Sequence, residues 1–134
     1  MEPLRIKSAR DSSELILGPP EGSGGEGSVP VSLVGTAMSA RVNAYEYNYH
    51  HLASFFDDLA KNWRGWTGEK TWESVEHHIA LRATADRKGH VYLRASLRDI
   101  DDPSDWRAEA TLLVEAGQLD ALADSARRIF GADV

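Results

Sequence analysis

Apolar and polar residues alternate along much of the chain, which is the pattern of half-buried β-strands. The three clearest alternating runs lie in the second half, at residues 79–85, 91–97 and 106–114. Shorter runs predict four strands in the first half, at residues 4–8, 14–17, 29–34 and 38–45. Each run has one apolar face, as expected for antiparallel strands that cover a core on one side.

Two segments have the period of an α-helix instead. The first is indicated by an apolar stripe with i, i+3, i+4, i+7 and i+11 spacing: Leu52, Phe55, Phe56, Leu59 and Trp63. The second is indicated by a similar stripe: Leu119, Leu122, Ala123, Ala126, Ile129 and Phe130. Asn48 is the predicted N-cap of the first helix, and Gly131 is the predicted C-cap of the second.

The order of these segments, ββββ-α-βββ-α, predicts a single α+β domain over residues 1–134. We expect a mostly antiparallel sheet of about six to seven strands, with both helices packed on one face.

The turn between the first two long runs determines how those strands pair. Arg87, Lys88 and Gly89 fit a three-residue hairpin loop with the glycine in the left-handed conformation. Inward residues then face inward residues, which gives the pairs Ala85–Val91, Ala83–Leu93 and Leu81–Ala95. The same register sets Arg82 opposite Arg94.

Residues 19–28, with the sequence PPEGSGGEGS, hold no side chain whose burial would stabilise the fold. The glycines also increase the conformational freedom of the chain. We therefore predict a flexible Gly-rich loop. A phosphate-binding loop would need a lysine and a following helix, and neither is present here.

Composition narrows the class of protein. The 134 residues carry 15 Lys+Arg and 21 Asp+Glu, a net charge of −6, which argues against a nucleic-acid partner. No apolar run approaches the roughly 18 residues of a membrane span, and the first residues lack a signal-peptide pattern. There is no cysteine, so disulfides and thiolate metal sites are excluded. Together these features predict a cytoplasmic protein that does not associate with membranes.

The residues able to carry chemistry form no recognisable catalytic or metal-binding motif. His77 and His78 are adjacent on an extended segment, so their side chains point to opposite faces. No H-x-x-x-H spacing and no G-x-S-x-G elbow occurs. Paired carboxylates fall at solvated positions, 57–58 and 101–102. We therefore expect no catalytic residue, no metal and no cofactor, and we predict that the protein is not an enzyme.

The chain has four tryptophans: Trp63, Trp66, Trp72 and Trp106. We expect them mainly in the core, with Trp63 completing the apolar face of the first helix. Trp66 lies between two glycines, so it is the one predicted to be partly exposed and available to a partner.

The outer face of the last three strands is predicted to bind a partner. The candidate residues are Arg82, Tyr92, Arg94, Arg98 and Arg107, together with Trp66. Guanidinium groups bind carboxylates through two parallel hydrogen bonds, which suits an acidic protein surface. Two other interpretations stay open: a solvated face with ordinary ion pairs, and a homodimer held by the acidic loop 99–105.

Several tryptophan- and glycine-containing motifs occur together in this part of the chain. They are FFDDL at 55–59, WRGWTGEKTWES at 63–74, GHVYL at 89–93, Asp105-Trp106 and EAGQL at 115–119. Over about residues 45–130 the chain resembles a family of small uncharacterised actinobacterial proteins. That family is similar in outline to WapI-type immunity proteins of contact-dependent toxin systems. The resemblance implies an α+β domain that binds another protein, and it brings no catalytic residues.

Two functions from different classes follow. The first is a non-catalytic protein-binding module, including an immunity-type neutraliser that acts by steric and charge complementarity. The alternative is a small-ligand-binding protein or minor enzyme with a pocket between sheet and helices. A deep polar pocket with titratable groups of shifted pKa would favour the alternative.

Overall fold

A computed structural model describes residues 1–132 of the chain. This part contains nine strands and two α-helices. The strands are β1 Leu4–Lys7, β2 Glu14–Leu17, β3 Glu21–Ser23, β4 Glu26–Val34, β5 Ser39–Glu46, β6 Lys70–Glu73, β7 Ile79–Ala85, β8 His90–Arg98 and β9 Arg107–Glu115. The helices are α1 His50–Lys61 and α2 Leu119–Phe130, and a short 3₁₀ turn, Ala116–Gln118, precedes α2. Neither helix combines the length and the apolar character that crossing a bilayer requires.

The predicted α+β class and antiparallel pairing are confirmed, but the strands divide between two sheets. In the five-stranded sheet, β4 pairs with β5 along one edge and with β2 and β3 along the other, and β1 pairs with β2. The four-stranded sheet has the order β6-β7-β8-β9. A single sheet of six to seven strands was therefore the wrong expectation. Helix α1 separates β5 from β6 along the chain, so the ladder does not continue from one to the other.

The two sheets meet where the chain leaves β1. There the main-chain N–H of Ala9 donates to the carbonyl of Leu113 in β9, at 2.8 Å. The hydroxyl of Ser8 accepts a hydrogen bond from the N–H of Leu113, at 3.1 Å. These two hydrogen bonds tie the first sheet to β9 of the second.

The Gly-rich segment, for which a flexible loop was predicted, forms a hairpin between β3 and β4. Glu21 pairs with Ser28, and Gly22 pairs with Gly27. The two-residue turn at Gly24 and Gly25 has φ of 69° and 91°, the left-handed conformation that a tight hairpin needs. The carbonyl of Gly25 accepts a hydrogen bond from Tyr49 N at 2.7 Å, which fixes the hairpin to the start of α1.

The inward faces of both sheets and the buried sides of both helices form one core. The helices pack against each other, α2 also contacts β1, and α1 contacts β6. The largest fully buried side chains are Phe56, Phe130, Leu15, Leu17, Leu33, Leu52, Leu59, Ile79, Leu81, Leu93, Leu97 and Leu112. The alternation in the sequence therefore assigned the inward positions of these strands correctly.

The first helix differs at both ends from the prediction. Tyr49 occupies the N-cap position, while Asn48 lies one residue earlier and accepts a hydrogen bond from His50 N through Oδ1, at 3.1 Å. The helix ends at Lys61, so Trp63 lies beyond it and is 53% exposed. Gly131 does follow α2 as predicted.

Candidate functional site

The outer face of the four-stranded sheet is the candidate site, and the register between β7 and β8 is the predicted one. Arg82 lies directly opposite Arg94 where β7 pairs with β8. Arg98 lies directly opposite Arg107 where β8 pairs with β9. Like charges in direct cross-strand positions destabilise a sheet unless other groups neutralise them. We call these four residues the arginine face.

Two of the four guanidinium groups are neutralised within the chain. Arg94 lies 3.7 Å from a carboxylate oxygen of Glu69 and 4.0 Å from one of Glu109. Arg98 donates two hydrogen bonds to the carboxylate of Asp105, at 2.8 and 2.9 Å. This two-point contact holds the pKa of Asp105 below its usual range.

The other two arginines, Arg82 and Arg107, are exposed. Within residues 1–132, neither has a carboxylate within ion-pair distance. The arginine face therefore presents two guanidinium groups to solvent, one at each end of a central pair that is already neutralised.

Tyr92 is half-buried beside this face, opposite Thr84 of β7. Its ring centroid is 6.4 Å from that of His90. The His90 ring contacts the Asp86 carboxylate through Nδ1 at 2.8 Å, and this hydrogen bond lowers the pKa of Asp86. These contacts fix the aromatic pair at the hairpin end of the face.

Trp66 is placed apart from the arginines. Its indole Nε1 donates to the carbonyl of Ala83 at 3.1 Å, and its ring packs against the core. The Nζ of Lys70 lies 5.5 Å from the ring centroid on the other side. The indole therefore seals an edge of β7, and the structure does not bring it onto the outer face with the arginines.

Of the other three tryptophans, two pack against the core and one is exposed. Trp72 and Trp106 are half-buried against the core, as expected. Trp63 does not close the helix face, because α1 has ended before it. Instead, the guanidinium carbon of Arg64 lies 5.0 Å from its ring centroid.

The burial of His78 is a feature that the sequence pattern did not predict. Alternation places His78 on the outer face, yet it is only 6% exposed because the acidic loop 99–105 covers it. Its Nε2 lies 3.2 Å from Asp101 Oδ2, and one ligand atom each of His78, Asp99 and Asp101 lie within 4.8 Å of one another. The burial depends on a contact between residues far apart along the chain, which periodicity alone does not report.

The contacts of these three side chains fit a structural role in the acidic loop better than they fit the binding of a metal ion. A histidine that binds a metal ordinarily donates its other ring N–H to an acceptor. Nδ1 of His78 is buried without a hydrogen-bond partner in the described part of the chain. Asp99 Oδ1 already accepts the main-chain N–H groups of Asp101 and Asp102, at 3.1 and 3.2 Å. The group holds the acidic loop against the sheet.

A groove lies between a sheet strand and a helix, the general place named for the alternative function, although the sequence did not identify its residues. A cavity of about 1100 Å³ lies between β1 and α2, and Leu122 and Ile129 contribute to its wall. Side chains whose pKa is shifted lie elsewhere, among them Asp57, Asp86 and the buried Glu46. The side chains that line the groove are therefore not among those with a shifted pKa, and such a shift is the feature that would favour a catalytic pocket.

Comparison with known protein families gives one match. A family model described as a family of unknown function, DUF6228, matches residues 8–133. This chain belongs to the DUF6228 family. The match covers nearly the whole chain and extends well before residue 45, where the sequence resemblance begins. It includes both sheets except for strand β1, which precedes residue 8. Searches of curated proteins and of solved structures found no match.

Proposed function

We propose that this DUF6228 protein is a non-catalytic protein-binding module whose arginine face binds an acidic protein surface. One observation carries the proposal: two pairs of arginines occupy directly opposite cross-strand positions on an outer sheet face, and each pair has one member without an ion pair in residues 1–132.

Repulsion between the paired arginines favours a partner that carries carboxylates. Direct like-charge pairs destabilise a sheet, and within residues 1–132 only one arginine of each pair, Arg94 or Arg98, has an ion pair. Other exposed arginines, such as Arg41 and Arg64, also have no ion pair in residues 1–132, so Arg82 and Arg107 are distinguished by lying directly opposite another arginine. A partner carboxylate at Arg82 and another at Arg107 would remove the remaining repulsion and form charge-assisted hydrogen bonds.

The same face argues against a nucleic-acid partner. Glu69, Glu109 and Asp105 lie among the arginines and would repel a phosphate backbone. A protein surface carries charges of both signs, so it can match carboxylates and guanidinium groups together. The partner is therefore a protein whose surface carries carboxylates opposite Arg82 and Arg107, on either side of the neutralised pair Arg94 and Arg98.

Residues 45–130 resemble a family that is similar in outline to WapI-type immunity proteins, and this resemblance supports a more specific version of the proposal. In that version the partner is a toxin, and the arginine face covers the toxin surface and blocks it sterically. No chemistry by this chain is needed for neutralisation of that kind.

Affinity capture from a lysate of the native host tests the proposal. The bait variants are wild type, R82E/R107E and a matched control, R41E/R64E, which makes the same charge change at exposed arginines elsewhere. We expect wild type and the control to retain the same acidic protein in stoichiometric amount, and R82E/R107E to lose it. Equal retention by all three variants would contradict the proposal.

A further inference from the structure

Strand β1 has one edge that faces away from its partner strand. The N–H of Ser8 donates to the carbonyl of Ser13 at 2.9 Å, so this pair is a hydrogen-bonded pair of the β1–β2 ladder. In an antiparallel ladder such pairs alternate, so Ile6 and Leu4 are bonded to β2 next. The main-chain N–H and C=O groups of Arg5 and Lys7 therefore point to the other side.

The groove described above lies on that other side. At Ala9 the edge of β1 is covered, because its N–H bonds to Leu113 of β9. Beyond this point β9 turns into the 3₁₀ turn and α2, and the groove opens between Arg5–Lys7 and the helix. The opposite wall is provided by α2 and includes half-buried Leu122 and Ile129. The main-chain edge of β1 at Arg5 and Lys7, which pairs with no other strand of residues 1–132, thus faces the apolar side of α2. The groove between them has a volume of about 1100 Å³.

The groove is basic although the chain is acidic. Arg5, Lys7, Arg128 and Glu2 line it. Arg5 lies 3.3 Å from the Glu14 carboxylate, so Lys7 and Arg128 are the lining cations without an ion pair in residues 1–132. Arg128 is exposed and donates to Ser125 Oγ at 3.1 Å. An occupant with carboxylates and apolar side chains matches this lining.

The same charges disfavour a second copy of the chain as the occupant. Pairing β1 with its own copy would bring Arg5 and Lys7 of both copies together, and like charges across a ladder destabilise it. Lysines on edge strands have this effect on self-association generally.

We propose that the groove binds an extended peptide segment of a partner, which adds as a strand to the free edge of β1. Its main chain bonds to Arg5 and Lys7, its apolar side chains contact Leu122 and Ile129, and its acidic side chains meet the basic groups. The four residues of β1 span about 13 Å, so the bound stretch is short. This binding mode uses a different surface from the arginine face, and it holds whether or not that face binds a protein.

Fluorescence anisotropy with defined peptides tests this binding mode on the full chain. The probe is a labelled peptide of about eight residues with alternating Glu and Val, long enough to pass the strand at both ends. The comparison probes are a Lys/Val peptide and the Glu/Val peptide N-methylated on alternate residues, which removes one edge of hydrogen bonds. Decanoate serves as a small apolar anion that has no peptide groups.

We expect the Glu/Val peptide to bind wild type, R41E/R64E and R82E/R107E equally. K7E/R128E should weaken binding about tenfold or more, because it reverses two basic groups of the groove that lie outside the core. N-methylation should weaken binding by a similar factor, because strand addition depends on main-chain hydrogen bonds. Unchanged urea midpoints for K7E/R128E will show that the variant is folded.

Four results would overturn this inference. They are absence of Glu/Val binding, equal binding of the Lys/Val peptide, equal binding of the N-methylated peptide, and binding of decanoate alone. The last would identify the groove as a small-ligand site. Because R82E/R107E leaves the groove intact, failure here is distinguishable from failure of the arginine face to bind a protein.

Discussion

Arg82 lies directly opposite Arg94 across β7 and β8, and only Arg94 has carboxylates of this chain beside it. Those carboxylates reduce the repulsion between the two guanidinium groups, but the exposed guanidinium of Arg82 has no ion pair of its own in the described part of the fold. An arrangement of this kind costs stability in the free protein and becomes favourable when an acidic partner binds.

Replacing Arg82 should consequently stabilise the free protein. We expect Arg82→Thr to raise the free energy of unfolding by about 0.2–1 kcal/mol, because it removes a like-charge pair and threonine suits a strand. Urea unfolding with an unchanged slope measures the shift. Arg94→Thr is the comparison, since it also removes the contacts with Glu69 and Glu109 and should stabilise less. A destabilised Arg82→Thr variant would show that Arg82 contributes to the fold.

Glu46 predicts a pH dependence of stability. It is only 6% exposed, and burial raises the pKa of its carboxyl although Val75 N donates to it at 2.5 Å. The folded state therefore favours the protonated form, so this group's contribution to stability falls as the pH rises from the unfolded pKa through the folded pKa. Glu46→Gln keeps an acceptor for Val75 and should be more stable than wild type at pH 7. The difference should vanish below about pH 4 in urea titrations, and a difference that persists there would contradict the assignment.

Trp66 should contribute more to stability than Trp63. Trp66→Phe removes the hydrogen bond to the Ala83 carbonyl, and we expect a loss of about 1 kcal/mol in the free energy of unfolding. Trp63→Phe changes a residue that is 53% exposed and should fall within about 0.5 kcal/mol of wild type. Thermal unfolding of both variants makes the comparison. Equal effects would show that the Trp66 indole does not seal the sheet edge.

The Gly-rich hairpin gives a test of the corrected fold. A Cβ at Gly27 would lie 1.8 Å from the Glu21 carbonyl oxygen, whereas one at Gly24 would have no atom within 4 Å. We expect Gly27→Ala to destabilise by more than about 2 kcal/mol, and Gly24→Ala by about 1 kcal/mol for its positive φ. A flexible loop would tolerate both substitutions, so equal and negligible changes in the urea midpoint would restore the loop interpretation.

Features of the fold that depend on local sequence could be predicted, and features that depend on contacts between distant segments could not. The register of β7 and β8 is fixed locally, because a three-residue turn ending in Gly89 permits one pairing of inward residues. The arginine pair at 82 and 94 followed from that register. β6 was not predicted because Trp72 is the one apolar residue in Lys70–Glu73, too few for a period-two pattern.

Contacts between distant segments account for the rest. The hairpin at 21–28 has the composition of a linker, and the contact of Gly25 with Tyr49 that holds it depends on the tertiary fold. His78 is buried by a loop more than twenty positions away. The groove arises because β9 leaves the edge of β1 at Ala9, which neither strand's sequence indicates.

The affinity of the captured partner for R82E/R107E, measured by calorimetry, tests the central claim most directly. The substitutions reverse two exposed guanidinium groups without breaking an ion pair of the described fold. The account predicts that R82E/R107E binds at least about a hundredfold more weakly than wild type, while R41E/R64E stays within about threefold. Equal affinities of the two double variants would contradict binding through the arginine face.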